Sequence, residues 1–332
     1  MSKKRLAIIG AGIIAEAHVA AAAESSRVAI AAVVDPVTDR SHALAQRVGA
    51  KPFASVDRLL ADDKARASLD AVLICTPPSV RQEPAEAALR AGLPVMVEKP
   101  LANSVNHAQS LVNLSSRRPH TPTAVAFCHR FTPAIRRMKE MLQRGDLGTP
   151  VRFENTFACW HPKMRDHWMS DPDISGGGSL VDTGCHAVDI FHYLIGPSQT
   201  DAAVLSHRWP GRGDSNATLL IHHGGAVAGG TPVAGILSSG WAEPARFTVA
   251  VVGTEGLLHY DFEKPEELLW SRSTGPAETL KVQTHEVRFR HQLEAFADLI
   301  DNPSAPTELA SFEDGLAVAV TLQDAREQVV GF

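Results

Sequence analysis

Leu6-Ala7-Ile8-Ile9-Gly10-Ala11-Gly12-Ile13-Ile14-Ala15 is the stretch on which the fold turns. Residues 6–9 form a short apolar run, as expected of a strand buried on both faces. Gly10 permits a tight turn, Gly12 lets backbone amides approach a pyrophosphate, and the small Ala15 lets the next helix pack on the strand. That helix, opening at Ile13 and Ile14, presents its positive end to whatever the turn holds. Val28–Val34 is the next apolar run and leads into Asp35, whose carboxylate suits ribose hydroxyls. Strand, glycine turn, helix, strand and acid in that order mark a dinucleotide site. A secretory signal is the competing reading of Lys3-Lys4-Arg5, the apolar run and Ala15-Glu16-Ala17. It leaves Gly10 and Gly12 unexplained.

Outward from this start the pattern repeats. A helix is expected around residues 40–48, leading to residues 54–60, then a continuous apolar strand at 71–75 that stops at Thr76-Pro77-Pro78. A helix at 83–91 closes on Gly92, and a strand at 95–97 runs into Glu98-Lys99-Pro100. Thr76 and Lys99 thus stand at the carboxyl ends of parallel strands, where ligands gather in open α/β sheets. A solvated surface lysine is the plain alternative for Lys99. The polar, proline-containing residues 115–122 read as a passage between domains. Residues 1–124 are therefore expected to form a dinucleotide-binding Rossmann domain with a doubly wound parallel sheet. Residues 125–332 are expected to form a substrate-binding and oligomerisation α+β domain with a mostly antiparallel open sheet. Its strands are expected at 151–157, 201–207, 218–222, 233–240, 246–252 and 256–262, with closing helices at 291–299 and 311–328.

The second domain contains Gly176-Gly177-Gly178-Ser179-Leu180-Val181-Asp182-Thr183-Gly184-Cys185-His186. The glycines let backbone pass close to another group. Residues 180–195 then read as one helix, stopped by Gly196-Pro197. On it Asp182 and His186 share a face one turn apart. A general base with its orienting carboxylate and a plain surface ion pair both fit that spacing.

Composition narrows the classes. Hydrophobic residues make up 44%, charged residues 21%, and the net charge is −5. This is a globular composition, and its scattered basic residues leave no nucleic-acid footprint. No run is apolar enough to span a membrane. Cys75, Cys128, Cys159 and Cys185 are widely spaced, which argues against a disulfide framework or structural zinc and for a reducing cytoplasm. Asp182, His186, Asp189 and His192 lack the spacing of a metal set, so no metal is expected.

Together, the Gly10/Gly12 turn, Glu98-Lys99-Pro100 and the glycines leading to Asp182-x-Gly184-x-His186-x-x-Asp189 resemble the glucose–fructose oxidoreductase / inositol dehydrogenase (Gfo/Idh/MocA) family. Thr76-Pro77, Arg130-Phe131-x-Pro133 and Gly253-x-x-Gly256 extend the resemblance over the chain. It implies an enzyme that moves hydride between NAD, with NADP left open, and a secondary alcohol of a sugar, cyclitol or related polyol. It also implies a homo-oligomer. Lys99, Asp182 and His186 match the family's catalytic trio. Gly10, Gly12, Ile13, Ile14, Asp35, Thr76, Pro77, Glu98 and Lys99 fall at cofactor-binding positions. Substrate contact is expected from His129, Arg130, Trp160, His161, Arg165 and Trp168, with packing as the alternative for each. Two departures stand out: Arg81 where the family commonly has His, and the Gly/Ala-rich residues 223–235, which look like a lengthened turn. NAD-dependent elimination or glycoside cleavage could use the same trio. A non-catalytic dinucleotide sensor would need no base.

Overall fold

The computed structural model describes residues 3–224 and 232–330. The chain forms two compact units, Met1–Cys128 with Val287–Leu316, and His129–Glu286 with Ala317–Phe332.

The first unit runs β1 (Lys4–Ile9), α1 (Ile13–Glu24), β2 (Val28–Val34), α2 (Thr38–Val48), β3 (Lys51–Phe53), α3 (Val56–Ala61), α4 (Asp63–Ala67), β4 (Ala71–Ile74), α5 (Gln82–Arg90), β5 (Val95–Glu98), α6 (Val105–Ser116) and β6 (Thr123–Ala126). Its six strands are parallel in the order β3-β2-β1-β4-β5-β6. The order reverses between β1 and β4, which places the ligand crevice at the carboxyl ends of those strands. Leu6, Ile8, Leu73 and Val97 are fully buried, each contributing about 1.5–3 kcal/mol relative to exposure. Local signals close the elements: Gly49 ends α2 in the left-handed region, and Ser55 and Ser104 cap α3 and α6.

The second unit holds α7 (Pro133–Gln143), β7 (Pro150–Trp160), α8 (Pro172–Ser175), α9 (Ser179–Asp182), α10 (Gly184–Leu194), β8 (Gln199–Ser206), β9 (Asn216–His223), β10 (Val233–Gly240), β11 (Ala242–Gly253), β12 (Gly256–Asp261), β13 (Glu267–Arg272) and β14 (Glu278–Lys281). Its eight-stranded sheet has the order β14-β13-β12-β11-β7-β10-β9-β8 and is antiparallel except where β10 meets β7. The remaining helices are α11 (Arg288–Asp301) and α12 (Phe312–Glu327), and the division between units falls within α12.

Two expectations need correction. The simple division at residue 124 omits the return of Val287–Leu316 to the first unit. That return is tertiary: α11 packs on α1, Phe289 meets the His18 ring edge-on at 5.3 Å, and Glu294 accepts from Ser25 Oγ at 3.0 Å. The single helix expected at 180–195 is two, α9 and α10, broken at Thr183. There the His186 amide donates to the Thr183 carbonyl, and the Cys185 thiol takes the Asp182 carbonyl at 3.2 Å. β3, β13 and β14 are short and weakly patterned in sequence, whereas α6 has a capping Ser104 and apolar residues at 105, 108, 111 and 112, a signal that the sequence reading passed over. Most of the lengthened turn at 223–235 lies outside the described residues; β9 ends at His223 and β10 begins at Val233.

Candidate active site

In the first unit, Gly10 has φ +95°, and a Cβ there would lie 2.9 Å from the Cys75 carbonyl group. Only glycine allows β1 to turn this close to the end of β4. Gly12 is different. Its φ of −87° is open to any residue, and an added Cβ would meet nothing within 4 Å. The space it leaves lies at the start of α1, whose N-terminus has no side-chain cap. Ile13 beside it is 87% exposed, an apolar side chain at a helix end that carries unsatisfied amides.

Asp35 is only 6% exposed. Its two carboxylate oxygens accept from the Ala11 and Val37 amides, each at 2.8 Å. It therefore binds the glycine turn to the start of α2, a role its position alone did not reveal. A cavity of about 240 Å³ lies beside the turn, lined by Ile9, Gly10, Val34, Pro36, Val56, Thr76, Val80 and Pro84 among others. Its walls are mainly apolar, as a flat heteroaromatic ring requires. Thr76 Oγ1 is buried and has no hydrogen-bond partner among the described residues. An orphaned hydroxyl, an uncapped helix end and an apolar slot at the strand-order reversal all fit a dinucleotide.

Lys99 follows β5, and its peptide bond to Pro100 is cis. Its amide donates to Glu98 Oε2 at 3.0 Å, while Glu98 Oε1 lies 2.7 Å from Nε2 of the fully buried His18. His18 Nδ1 has no partner among the described residues, so Nε2 is the ring atom that ties His18 to Glu98. Burial, then Glu98, pushes the Cys75 thiol well above its usual range, with Arg81 opposing. Burial likewise pushes the Cys128 thiol up to about 11, with Arg288 the main opposing charge.

In the second unit the glycine stretch approaches other backbone, as expected. The neighbour is the loop at Gly213 and Asp214, into which a Cβ on Gly178 would collide. The Asp214 carboxylate accepts from Ser179 Oγ and the Leu180 amide, both at 2.8 Å, fixing the start of α9. Arg326 donates to the Gly176 carbonyl from the other side. Burial lowers its pKa, with Asp214 opposing.

Asp182, the last residue of α9, accepts from Trp241 Nε1 at 3.2 Å. His186 lies in the first turn of α10 and is 8% exposed. Its ring meets that of His129 edge-on at 4.6 Å, and His129 in turn packs against Phe157 and Phe262 at 5.1 Å each. The structure thus brings His129 to His186. Arg130 goes elsewhere: its Nη2 and Nε bind the carboxylate of Asp189 at 2.7–3.1 Å in a buried pair. Trp160 is exposed with Arg208 over its ring at 5.5 Å, and Trp168 lies beside His167 at 5.4 Å. The His161 amide donates to the Trp241 carbonyl at 2.8 Å, while Arg165 is exposed near Asp166.

Sequence reasoning missed Trp241, whose indole holds Asp182 and whose carbonyl holds the loop at His161. Burial, then Asp182 and Glu243, raises the thiol of the half-buried Cys159 above its usual range. The signal for Trp241 was a single aromatic after Gly240, too common to single out. Among the described residues no group of three His, Cys, Asp or Glu is placed to hold a metal, and no helix is long and apolar enough to cross a membrane.

Comparison with known proteins agrees with this architecture. Residues 4–126 match the model of the oxidoreductase family with NAD-binding Rossmann fold, and residues 135–259 match the GFO/IDH/MocA C-terminal domain. The chain is 28% identical over 231 residues to the rhizopine catabolism protein MocA of Rhizobium meliloti, covering 67% of this chain and 68% of that protein. It is 31% identical over 223 residues to D-xylose 1-dehydrogenase (NADP(+)) 2 of Haloferax volcanii, covering 67% and 66%. The chain therefore spans about two thirds of the length of these curated relatives. A solved levoglucosan dehydrogenase, in complex with NADH and levoglucosan, superposes with a TM-score of 0.86 at 22% identity, covering 98% of this chain and 97% of that one. That likeness establishes the fold. With its two matched regions spanning most of its length, the chain belongs to the GFO/IDH/MocA family of oxidoreductases.

Proposed function

We propose that this protein is an NAD(P)-dependent dehydrogenase acting on a secondary alcohol of a sugar, cyclitol or related polyol. The observation that carries the reading is the α9–α10 junction, where Asp182 is held by an indole and His186 by an aromatic box. A binder needs no such base; oxidation of a carbinol does. The relatives named for D-xylose and levoglucosan oxidation support the substrate class.

Gly10, Gly12, Ile13, Ile14, Asp35, Thr76, Pro77 and Glu98 are the residues that would hold the dinucleotide. When bound, it supplies the hydride acceptor. His186 takes the proton from the substrate hydroxyl, because an imidazole can accept one near neutral pH. Asp182 adds negative charge that favours the protonated ring. Lys99 contributes positive charge where alkoxide develops. His129 shapes the imidazole's surroundings, and Trp160, His161, Arg165 and Trp168 are offered as the outer substrate contacts. The buried pair of Arg130 with Asp189 supports a structural role for Arg130 over substrate contact.

The open sheet face supports a homo-oligomer: Leu220 and Ile236 stand opposite each other on β9 and β10, and both are exposed. The wide cysteine spacing supports a cytoplasmic setting. The decisive experiment is a panel of sugars, cyclitols and sugar acids with NAD⁺ or NADP⁺, followed by nicotinamide absorbance. No turnover on any of them, with NADH binding intact, would favour a sensor.

A further inference from the structure

Arg81 is a buried cation that the proposed chemistry leaves unused. It follows the Thr76-Pro77-Pro78 turn after β4 and is 2% exposed. Its Nη2 donates to the Thr76 carbonyl at 2.5 Å. Its Nη1 donates to the carbonyls of Glu98 and Pro100, the residues on either side of Lys99. One planar guanidinium therefore ties the carboxyl end of β4 to the segment that follows β5. Buried carbonyls need such donors, and hydrogen bonds from a charged donor are stronger than those from a neutral one.

We propose that Arg81 is a positioning residue for Lys99, gripping the carbonyls on both flanks of the lysine and locking that segment to Thr76. Glu98 completes the grip from the amide side, since its Oε2 accepts the Lys99 N–H while His18 fixes its other oxygen. With both neighbouring carbonyls and its own amide bound, the Lys99 backbone has little freedom, so its side chain starts from a defined point. The guanidinium suits this task because its fork reaches separate acceptors at fixed angles. An ammonium is a point donor and cannot span Thr76 and both flanking carbonyls together. The clamp stands on geometry within the first unit; only its consequence for turnover rests on the catalytic reading of Lys99.

The test uses the full-length protein with Arg81→Lys and Arg81→Met. Amide hydrogen exchange is read at Lys99 and, for comparison, across β1, alongside NADH affinity by fluorescence. Exchange at Lys99 should accelerate by about tenfold or more in both variants, the size expected for losing a charged hydrogen bond. Amides of β1 should change less than about threefold, and NADH affinity should hold within a similar factor. On a polyol that the wild type oxidises, kcat should fall by about tenfold while KM stays nearly constant. Unchanged exchange at Lys99 in a folded variant overturns the proposal. So does acceleration that merely keeps pace with β1, which would make Arg81 a general support of the unit. If Arg81→Met fails to fold, Arg81→Lys decides by the same criterion. Faster local exchange with unchanged kcat would keep the clamp and remove Lys99 from the catalytic reading.

Discussion

Trp241 donates its indole N–H to the Asp182 carboxylate at 3.2 Å, across 59 residues of sequence. Trp241 is itself almost fully buried and stacks on Trp209 at 6.5 Å with an interplanar angle of 21°. The carboxylate, on the last residue of α9, is thus held by a buried donor from the bend between β10 and β11. Trp241→Phe keeps most of the packing and removes the donor. We expect kcat to fall roughly 10- to 100-fold, the equivalent of one hydrogen bond to a charged group, with NADH affinity unchanged. Equal losses in both would indicate general disruption.

His186 and His129 touch, yet their expected roles differ. His186→Ala should lower turnover by roughly 10²–10⁴-fold, the range for a positioned proton acceptor. His129→Ala removes one wall of the aromatic box and should shift the pH profile of kcat while retaining more activity. A His186→Ala enzyme with an unaltered pH–rate profile would move the base elsewhere, with Lys99 the first candidate.

Asp35 bridges Ala11 and Val37 through both oxygens. Asp35→Asn turns one acceptor into a donor facing a backbone N–H. Stability should fall by about 1–3 kcal/mol, the cost of an unsatisfied buried donor, and NADH affinity should fall with it. The charge near the ribose also predicts tighter binding of NADH than of NADPH by the unmodified protein. The reverse preference, measured by fluorescence titration, would shift discrimination to residues such as Arg40.

What the sequence discloses about this site follows a physical division. The glycine turn, the strand ends at Thr76 and Glu98 and the residues of the Asp182–His186 stretch are local, and composition plus spacing reveal them. The break at Thr183 is not, because Leu180–Asp182 and Cys185–Leu194 both favour helix and only the competing bonds at Thr183 and Cys185 separate them. Arg130 illustrates the same limit: a cation after a strand can reach a ligand or a buried partner, and Asp189 took it. Arg81 was visible as an odd residue, but its three carbonyl partners come from two strand ends that only the folded sheet juxtaposes.

Cys128 sets an alkaline limit on the first unit. Its thiol is pushed from the ordinary 9.0 up to about 11, chiefly by burial. Above pH 9 the unfolded chain loses this proton while the folded chain keeps it, so the unfolded state binds fewer protons and stability falls as pH rises. The contribution is fully present below pH 9 and is lost progressively through about pH 11, amounting to about 2–3 kcal/mol. Cys75 acts in the same direction. Denaturant midpoints from pH 8 to 11 should therefore decline less steeply for Cys128→Ala than for the wild type; parallel declines would show that this thiol does not titrate differently on unfolding.

Gly12 and Gly178 separate a glycine kept for a ligand from one kept for the fold. A methyl on Gly12 meets no atom within 4 Å, and its φ of −87° suits alanine. Gly12→Ala should leave thermal stability unchanged or slightly raised, since alanine restricts the unfolded chain. The methyl would nevertheless occupy the space above the uncapped start of α1, so NADH affinity should drop by roughly tenfold or more, as one misplaced methyl against a phosphate implies. At Gly178 the methyl collides with the Asp214 backbone, which cannot yield without releasing Ser179 and Leu180 from the Asp214 carboxylate. Gly178→Ala should thus destabilise the second unit by about 3 kcal/mol or more, while any folded fraction still binds NADH through the first unit. Melting curves and NADH titrations on the two variants give opposite patterns if this assignment holds. A Gly12→Ala protein that binds NADH as tightly as the wild type would remove the phosphate from that turn.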